Sequence, residues 1–297
     1  IAEKEELPTL KTQRHATTSS MSSPAAIKSY TDFDAIATIE KDYPLKNKLQ
    51  SLHTEQQAIR ASAMDIGNSY RIVLFSVKNG VETFWRSKEM TSGKTMDSIS
   101  VVKGGKYNYY AYAYNNKTKI PDNIDRHNPQ ISSGENLDFL YAKGTLEEAK
   151  LGDNPLGITF QRKTVRLGVE IDARGMFTDE IKDLTVSLTD GDKPALQKGV
   201  FDLKTGLLVE GSTEYFTPSY NIENFSNVDS YYKDRKIAYF YTAVPGITTF
   251  TANLKALTIS LHDEPGKTNS FQSLNAQFPF TIPEDNNDLG YKYLARI

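Results

Sequence analysis

The sequence predicts an all-β chain of two domains, and three observations predict it. The chain has 297 residues, beyond the ~100–200 typical of one domain, and either half could bury a core of its own. It carries 17 Tyr and 14 Phe, which with Thr, Val and Ile suit a pleated, half-buried surface. From Ser69 onward, short β-branched and aromatic runs alternate with Gly, Asn and Pro turn signals. That grammar fits antiparallel sandwiches. No βαβ alternation and no repeat of 20–50 residues appears, which disfavours doubly wound sheets, solenoids and propellers.

Along the chain, residues 1–60 read as an N-terminal leader or linker with one helix. Residues 1–32 join a charged start to a Ser/Thr-rich stretch, too polar to offset its ordering entropy. The start at Ile1 suggests a mature or trimmed form, since no basic-then-apolar signal segment precedes the polar stretch. The helix is expected over 44–60: Pro44 suits a first helical position, and Leu45, Leu49, Leu52, Gln56 and Ile59 recur at spacings of three and four.

Residues 61–152 read as an N-terminal sandwich. Strands are expected at 70–77 and 81–85 around the Lys78-Asn79-Gly80 turn, at 98–102, at 106–114 and at 137–142, with a long loop over 115–135. In the run 107–114, alternation sends Tyr107, Tyr109, Ala111 and Ala113 to one face and Tyr110, Tyr112 and Tyr114 to the other. Gly152-Asp153-Asn154-Pro155 marks the boundary, and 153–297 reads as a C-terminal sandwich.

Chemistry is sparse in this pattern. A net charge of −2 argues against a phosphate-backbone binder. Zero Cys removes disulfide frameworks, Cys-ligated zinc, Fe–S clusters and thiol nucleophiles. No run of 18 apolar residues suggests a membrane-spanning helix. His15, His53, His127 and His262 are scattered singly, without metal-ligand spacing. Neither a Gly-x-Ser-x-Gly elbow nor a phosphate-binding Gly loop occurs. Asp190-Gly191-Asp192 and the acidic run 284–288 read as turns, with a surface calcium site at 285–288 as the alternative. No catalytic residue, metal ligand or cofactor is expected.

An ordered set of segments resembles the fimbrillin-like proteins of the Bacteroidales, subunits of surface fimbriae. It comprises Ile59-Arg60-Ala61-Ser62 before the strand at 70–75, then Gly105-Lys106-Tyr107 running into Ala111-Tyr112-Ala113-Tyr114-Asn115-Asn116. Leu137-Asp138-Phe139-Leu140-Tyr141-Ala142 and the pair 156–162 and 165–169 follow. Gln161-Arg162 departs from the family's usual Phe-x-His. The resemblance covers roughly 59–172 and the last strands more faintly; the long segment before it is a departure.

The resemblance implies two transthyretin-like antiparallel β-sandwich domains and export as a lipoprotein, acylated on a Cys just before the mature chain. It also implies cleavage after an Arg, which removes an N-terminal strand from the first domain so that a strand of another subunit can replace it. Arg60 is the candidate processing site and Arg14 the second choice. In the last strand, Tyr291, Tyr293, Ala295 and Ile297 share one face and suit strand exchange; an ordinary last strand of the second domain is the other reading, and it fits a tip or accessory subunit. Ser98, in Asp97-Ser98-Ile99, is a glycosylation candidate. The expected partners are other fimbrial subunits, with host or bacterial surface ligands, and no nucleic acid. The expected location is an outer-membrane-associated fimbrium at the cell surface, the membrane being met only through a lipid anchor. The alternative is a surface glycan-binding lipoprotein that uses exposed Tyr109 and Trp85.

Overall fold

A computed structural model describes residues 26–30, 33–42, 64–94, 97–272, 274–282, 289–290 and 292–297. The helix expected over 44–60, Arg60, Arg14, Tyr291 and the acidic run 284–288 lie outside these residues. As expected, the fold is all-β, and its regular helical content among the described residues is two short 3-10 turns, Arg174–Met176 and Ile222–Asn224.

The described chain opens on a hairpin, β1 (Ala26–Ser29) and β2 (Asp34–Lys41). Residues 1–60 read from sequence as a leader with a helix, but this part of them is strand. Ala35, Ala37 and Ile39 alternate with Ile36, Thr38 and Glu40, and Ala37 and Ile39 are buried in the core of the second domain. Period-2 alternation with one buried face is what a strand in one layer of a sandwich requires.

The first domain is built on β3 (Ser69–Lys78), β4 (Val81–Thr91), β5 (Lys106–Ala113), β6 (Gln130–Ser132), β7 (Leu140–Leu146) and β8 (Gln161–Arg162). Five of these form an antiparallel sheet in the order β4-β3-β5-β7-β8. The β3–β4 hairpin turns at Asn79 and Gly80, both with positive φ, as a two-residue turn demands. Both faces of the sheet are covered. Tyr109 and Ala111 pack with Ile72, Leu74 and Ala142 on one side, beneath Ile99, Val101, Leu156, Ile158 and Phe160. Tyr110 and Tyr112 pack with Val73, Phe75 and Tyr141 on the other. The sheet runs on to Arg162, past the turn at Gly152, because 156–160 lie on its face.

The second domain comprises β9 (Val165–Asp172), β10 (Thr178–Asp190), β11 (Lys193–Pro194), β12 (Leu196–Lys198), β13 (Val200–Asp202), β14 (Glu214–Phe216) and β15 (Ser219–Asn221). It continues through β16 (Ser226–Asn227), β17 (Arg235–Thr242), β18 (Thr249–Leu261), β19 (Thr268–Phe271), β20 (Ala276–Thr281) and β21 (Lys292–Arg296). One sheet has the order β1-β2-β21-β9-β17-β16; the other is built on β11-β10-β18-β19, with β15 on β10 and β20 on β18. Their inner faces meet in one core that includes Leu167, Val169 and Phe240 from the first sheet and Leu184, Val186, Phe250, Ile259 and Phe278 from the second. This is a two-layer sandwich.

The domains are sewn together. Strand β13 pairs with β6, and Phe201 and Leu203 enter the aromatic core of the first domain. Tyr141 donates its hydroxyl to the Leu203 carbonyl at 2.8 Å, and its ring lies where a side chain on Gly206 would have to go.

Candidate assembly site at the last strand

Strand β21 is an inner strand. It runs antiparallel to β2, with Thr38 opposite Arg296 and Lys41 opposite Tyr293, and parallel to β9, with Lys292 opposite Arg166 and Arg296 opposite Glu170. The strand before it in sequence, β20, lies in the other sheet, so β21 pairs with strands distant in sequence on both sides. Backbone bonds continue beyond each end: Asp42 N–H to the Lys292 carbonyl at 2.8 Å, Ile297 N–H to Glu170 at 2.9 Å, and Asp172 N–H to Ile297 at 2.8 Å.

Tyr293 and Ala295 are buried in the sandwich core, and Ile297 packs against it. The opposite face carries the charges. Arg296 reaches Glu40 on β2 at 2.6 Å and Glu170 on β9 at 3.3 Å, while Arg235 on β17 lies 3.4 Å from the same Glu170. Burial pulls the Arg296 guanidinium down, but the bonds and charges of Glu40 and Glu170 outweigh it and hold it above its ordinary value. Arg166 pairs with Asp42 and lies 4.2 Å over the Tyr239 ring. Burial, reinforced by the nearby Arg166 and Arg162, lowers the Lys292 ammonium.

The hairpin also clasps the opposite layer. Lys28 Nζ and Tyr30 Oη both donate to the Gln277 carbonyl on β20, at 2.7 and 3.2 Å. The Tyr30 ring meets Phe278 edge-on at 5.7 Å, and Phe33 meets Phe271 at 5.8 Å. The N-terminal segment was expected to lend a strand to the first domain; its described strands complete the second domain, beside the last strand. Sequence reasoning missed Ala37, Ile39, Glu40 and Asp42. The signal was the alternation in 34–41, which is faint because two of its inward residues are Ala.

Other candidate residues lie elsewhere. Ser98 is exposed in an irregular segment, and its carbonyl accepts from Lys88 Nζ at 3.0 Å. Tyr109 corrects the glycan alternative: it is buried, with its hydroxyl on the Gly157 carbonyl at 3.0 Å, so its ring offers no platform to a ligand. Its neighbours on both faces of the strand are packed by aromatic and apolar side chains, which is the commoner fate of such a run. Trp85 is half-buried at the edge of the first sheet. Among the described residues no cluster of three or more His, Asp or Glu could hold a metal ion.

A family model described as fimbrillin-like matches residues 102–294. No curated protein matches the chain. Among solved structures, a proposed cell adhesion protein from Bacteroides ovatus ATCC 8483 is 15% identical, with 80% of this chain and 84% of that chain covered and a TM-score of 0.43. A second proposed cell adhesion protein, from Bacteroides uniformis ATCC 8492, is 14% identical, with 80% and 88% covered and a TM-score of 0.42. A fimbrial assembly protein from Parabacteroides distasonis ATCC 8503 is 12% identical, with 82% and 85% covered and a TM-score of 0.37.

Proposed function

This chain belongs to the fimbrillin-like family, and on that premise we propose that it is a non-catalytic, adhesive subunit of a cell-surface fimbrium that accepts a strand from another subunit. The observation that carries the reading is the seat of β2: a strand from the N-terminal segment, upstream of Arg60, that pairs with β21 and fills part of the sandwich core with Ala37 and Ile39. Cleavage after Arg60 severs that strand from the domain it completes. Its departure exposes the ladder groups of β21 and an apolar slot, which is what a donated strand recognises.

The last strand stays at home in this reading. Tyr293 and Ala295 belong to the core of their own domain, and β21 is flanked on both sides. An accepting subunit that donates no strand fits a tip or accessory position. Export as a lipoprotein and outer-membrane association follow from the family resemblance, and Ser98, being exposed, remains available for glycosylation.

The experiment is cleavage at Arg60 with an Arg-specific protease, followed by chromatography under native conditions. The expected result is loss of residues 1–60 from the folded body and saturable uptake of an added peptide of residues 26–42 by the cleaved protein, with none by the intact chain. A cleaved protein that sheds the segment and takes up no such peptide overturns the reading.

A further inference from the structure

We propose that a groove on the first domain, straddling the outer edge of β4, binds an acidic sugar, with Arg86 and Arg126 pairing its carboxylate and Trp85 packing on its ring. The groove has a volume of about 490 Å³, within the range of small-ligand sites. It is far in sequence from the assembly strands, and the proposal does not depend on them.

The groove is built, with both walls held by side chains of the sheet. On one side, Lys88 Nζ donates to the Ser98 carbonyl and Trp85 Nε1 to the Ser100 carbonyl, both at 3.0 Å. On the other, buried Arg71 donates to the Ile120 carbonyl at 2.5 Å and lies 3.4 Å from Asp122, while Ile120 N–H donates to Glu89 Oε1 at 2.7 Å. A turn at Asp125, whose carboxylate accepts from His127 N–H at 2.8 Å, then presents Arg126. The His127 and Asn128 backbone donors hold the Asp125 carboxyl below its ordinary range. A site whose walls are fixed beforehand loses little freedom on binding.

The floor explains the ligand class. Leu74 faces Arg86 and Phe75 faces Phe84, so Trp85 is the extra residue of a β-bulge. A bulge breaks the regular edge ladder that an added peptide strand would need. What remains is a groove lined by Phe84 and Trp85 with Ser87, Ser98 and Ser100 beside them, a mix of ring and hydroxyl suited to a compact polyhydroxyl ring. The charge balance supplies the carboxylate. Asp97 is taken by Lys88 at 3.3 Å and Asp122 by Arg71. Among the described residues, Arg86 and Arg126 have no carboxylate partner; Arg86 sits 5.9 Å over Trp85 and Arg126 4.8 Å over Phe84. Two guanidinia resting on aromatic faces are forks free to engage a carboxylate.

The test uses the full chain, in which Trp85 is the sole tryptophan and so reports on the groove alone. Glucuronate and N-acetylneuraminate are titrated against Trp85 fluorescence, with glucose and an oligoglutamate peptide alongside. A saturable change with at least one acidic sugar, none with glucose, and at least a tenfold loss of affinity in Arg86→Gln/Arg126→Gln with unchanged thermal unfolding support the proposal. Because the arginines are exposed, the affinity falls as salt is raised. No saturable change with either acid, an equal response to glucose, full binding by the double variant, or binding of oligoglutamate in place of the sugars overturns it.

Discussion

Leu294 on β21 lies against Gly168 on β9: a methyl group on Gly168 would stand 3.0 Å from Leu294 Cδ1 and 3.3 Å from Tyr239 Cε1. The absent side chain is what lets Leu294 bury itself on the outer face of the sheet. Gly168→Ala therefore pushes the last strand away from its parallel neighbour. We expect a loss of about 1–3 kcal/mol, the ordinary cost of overpacking, read as a lower urea midpoint.

Ile39 holds the N-terminal hairpin in the second domain's core. Ile39→Ala removes that anchor, at about 2–5 kcal/mol for a buried truncation. Limited proteolysis should release the segment ahead of Lys41 well before the rest of the domain is cut. If release keeps its wild-type rate, the hairpin is held by its clasp onto Gln277 instead.

Arg235 and Arg296 share one buried carboxylate, Glu170. Either arginine alone still neutralises it, so Arg235→Met and Arg296→Met each cost about 1 kcal/mol, the scale of a partly exposed pair. The double variant leaves a buried charge uncompensated, which costs about 3–5 kcal/mol. Chemical denaturation of the four proteins should thus show a loss greater than the sum of the singles.

Glu82 joins the two domains, accepting from Asn108 at 2.5 Å and Tyr110 at 2.7 Å while Lys204 of the second domain lies 3.1 Å away. Burial alone would raise its carboxyl; the bonds from Asn108, Tyr110 and Lys204 outweigh burial and hold it below the usual range. A depressed folded value stabilises above the unfolded pKa of about 4.3 and is lost as pH falls through the folded one. Stability should fall more steeply between about pH 5 and pH 3 in the wild type than in Glu82→Gln, as read from urea midpoints.

Burial raises the hydroxyls of Tyr110, Tyr112, Tyr141 and Tyr241, and pushes Tyr114 up to about 12. A raised folded value stabilises below the unfolded pKa of about 10 and is lost as pH rises through the folded one. Phenolate absorbance on raising pH should therefore show exposed tyrosines ionising first and these buried ones only with cooperative alkaline unfolding.

Much of this was legible in the sequence. The run 106–114 reads as strand because Tyr and Ala alternate without a turn residue, and its two faces separate as the period requires. The all-β class followed from composition and turn spacing. The seat of the N-terminal strand did not, because pairing between residues 38–41 and 293–296 leaves no local trace. The end of the first sheet is hidden for a related reason: Gly152 is a true turn, with φ +88, yet a turn says nothing of where the following apolar residues pack. The groove was invisible because its walls, 97–100 and 120–126, are brought together by Arg71, Trp85, Lys88 and Glu89 reaching out from the sheet.

The pairing of β2 with β21 joins residues from opposite ends of the chain; Glu40 and Arg296 are 256 positions apart. Closing so long a loop costs entropy before any contact rewards it, and such contacts slow folding. Strand β21 sits between β2 and β9 in that sheet, and the other described strands of the second domain all precede it in sequence. The sheet therefore cannot close until residues 292–296 have been made, and a nascent chain that stops short of them holds β2 and β9 with no shared neighbour.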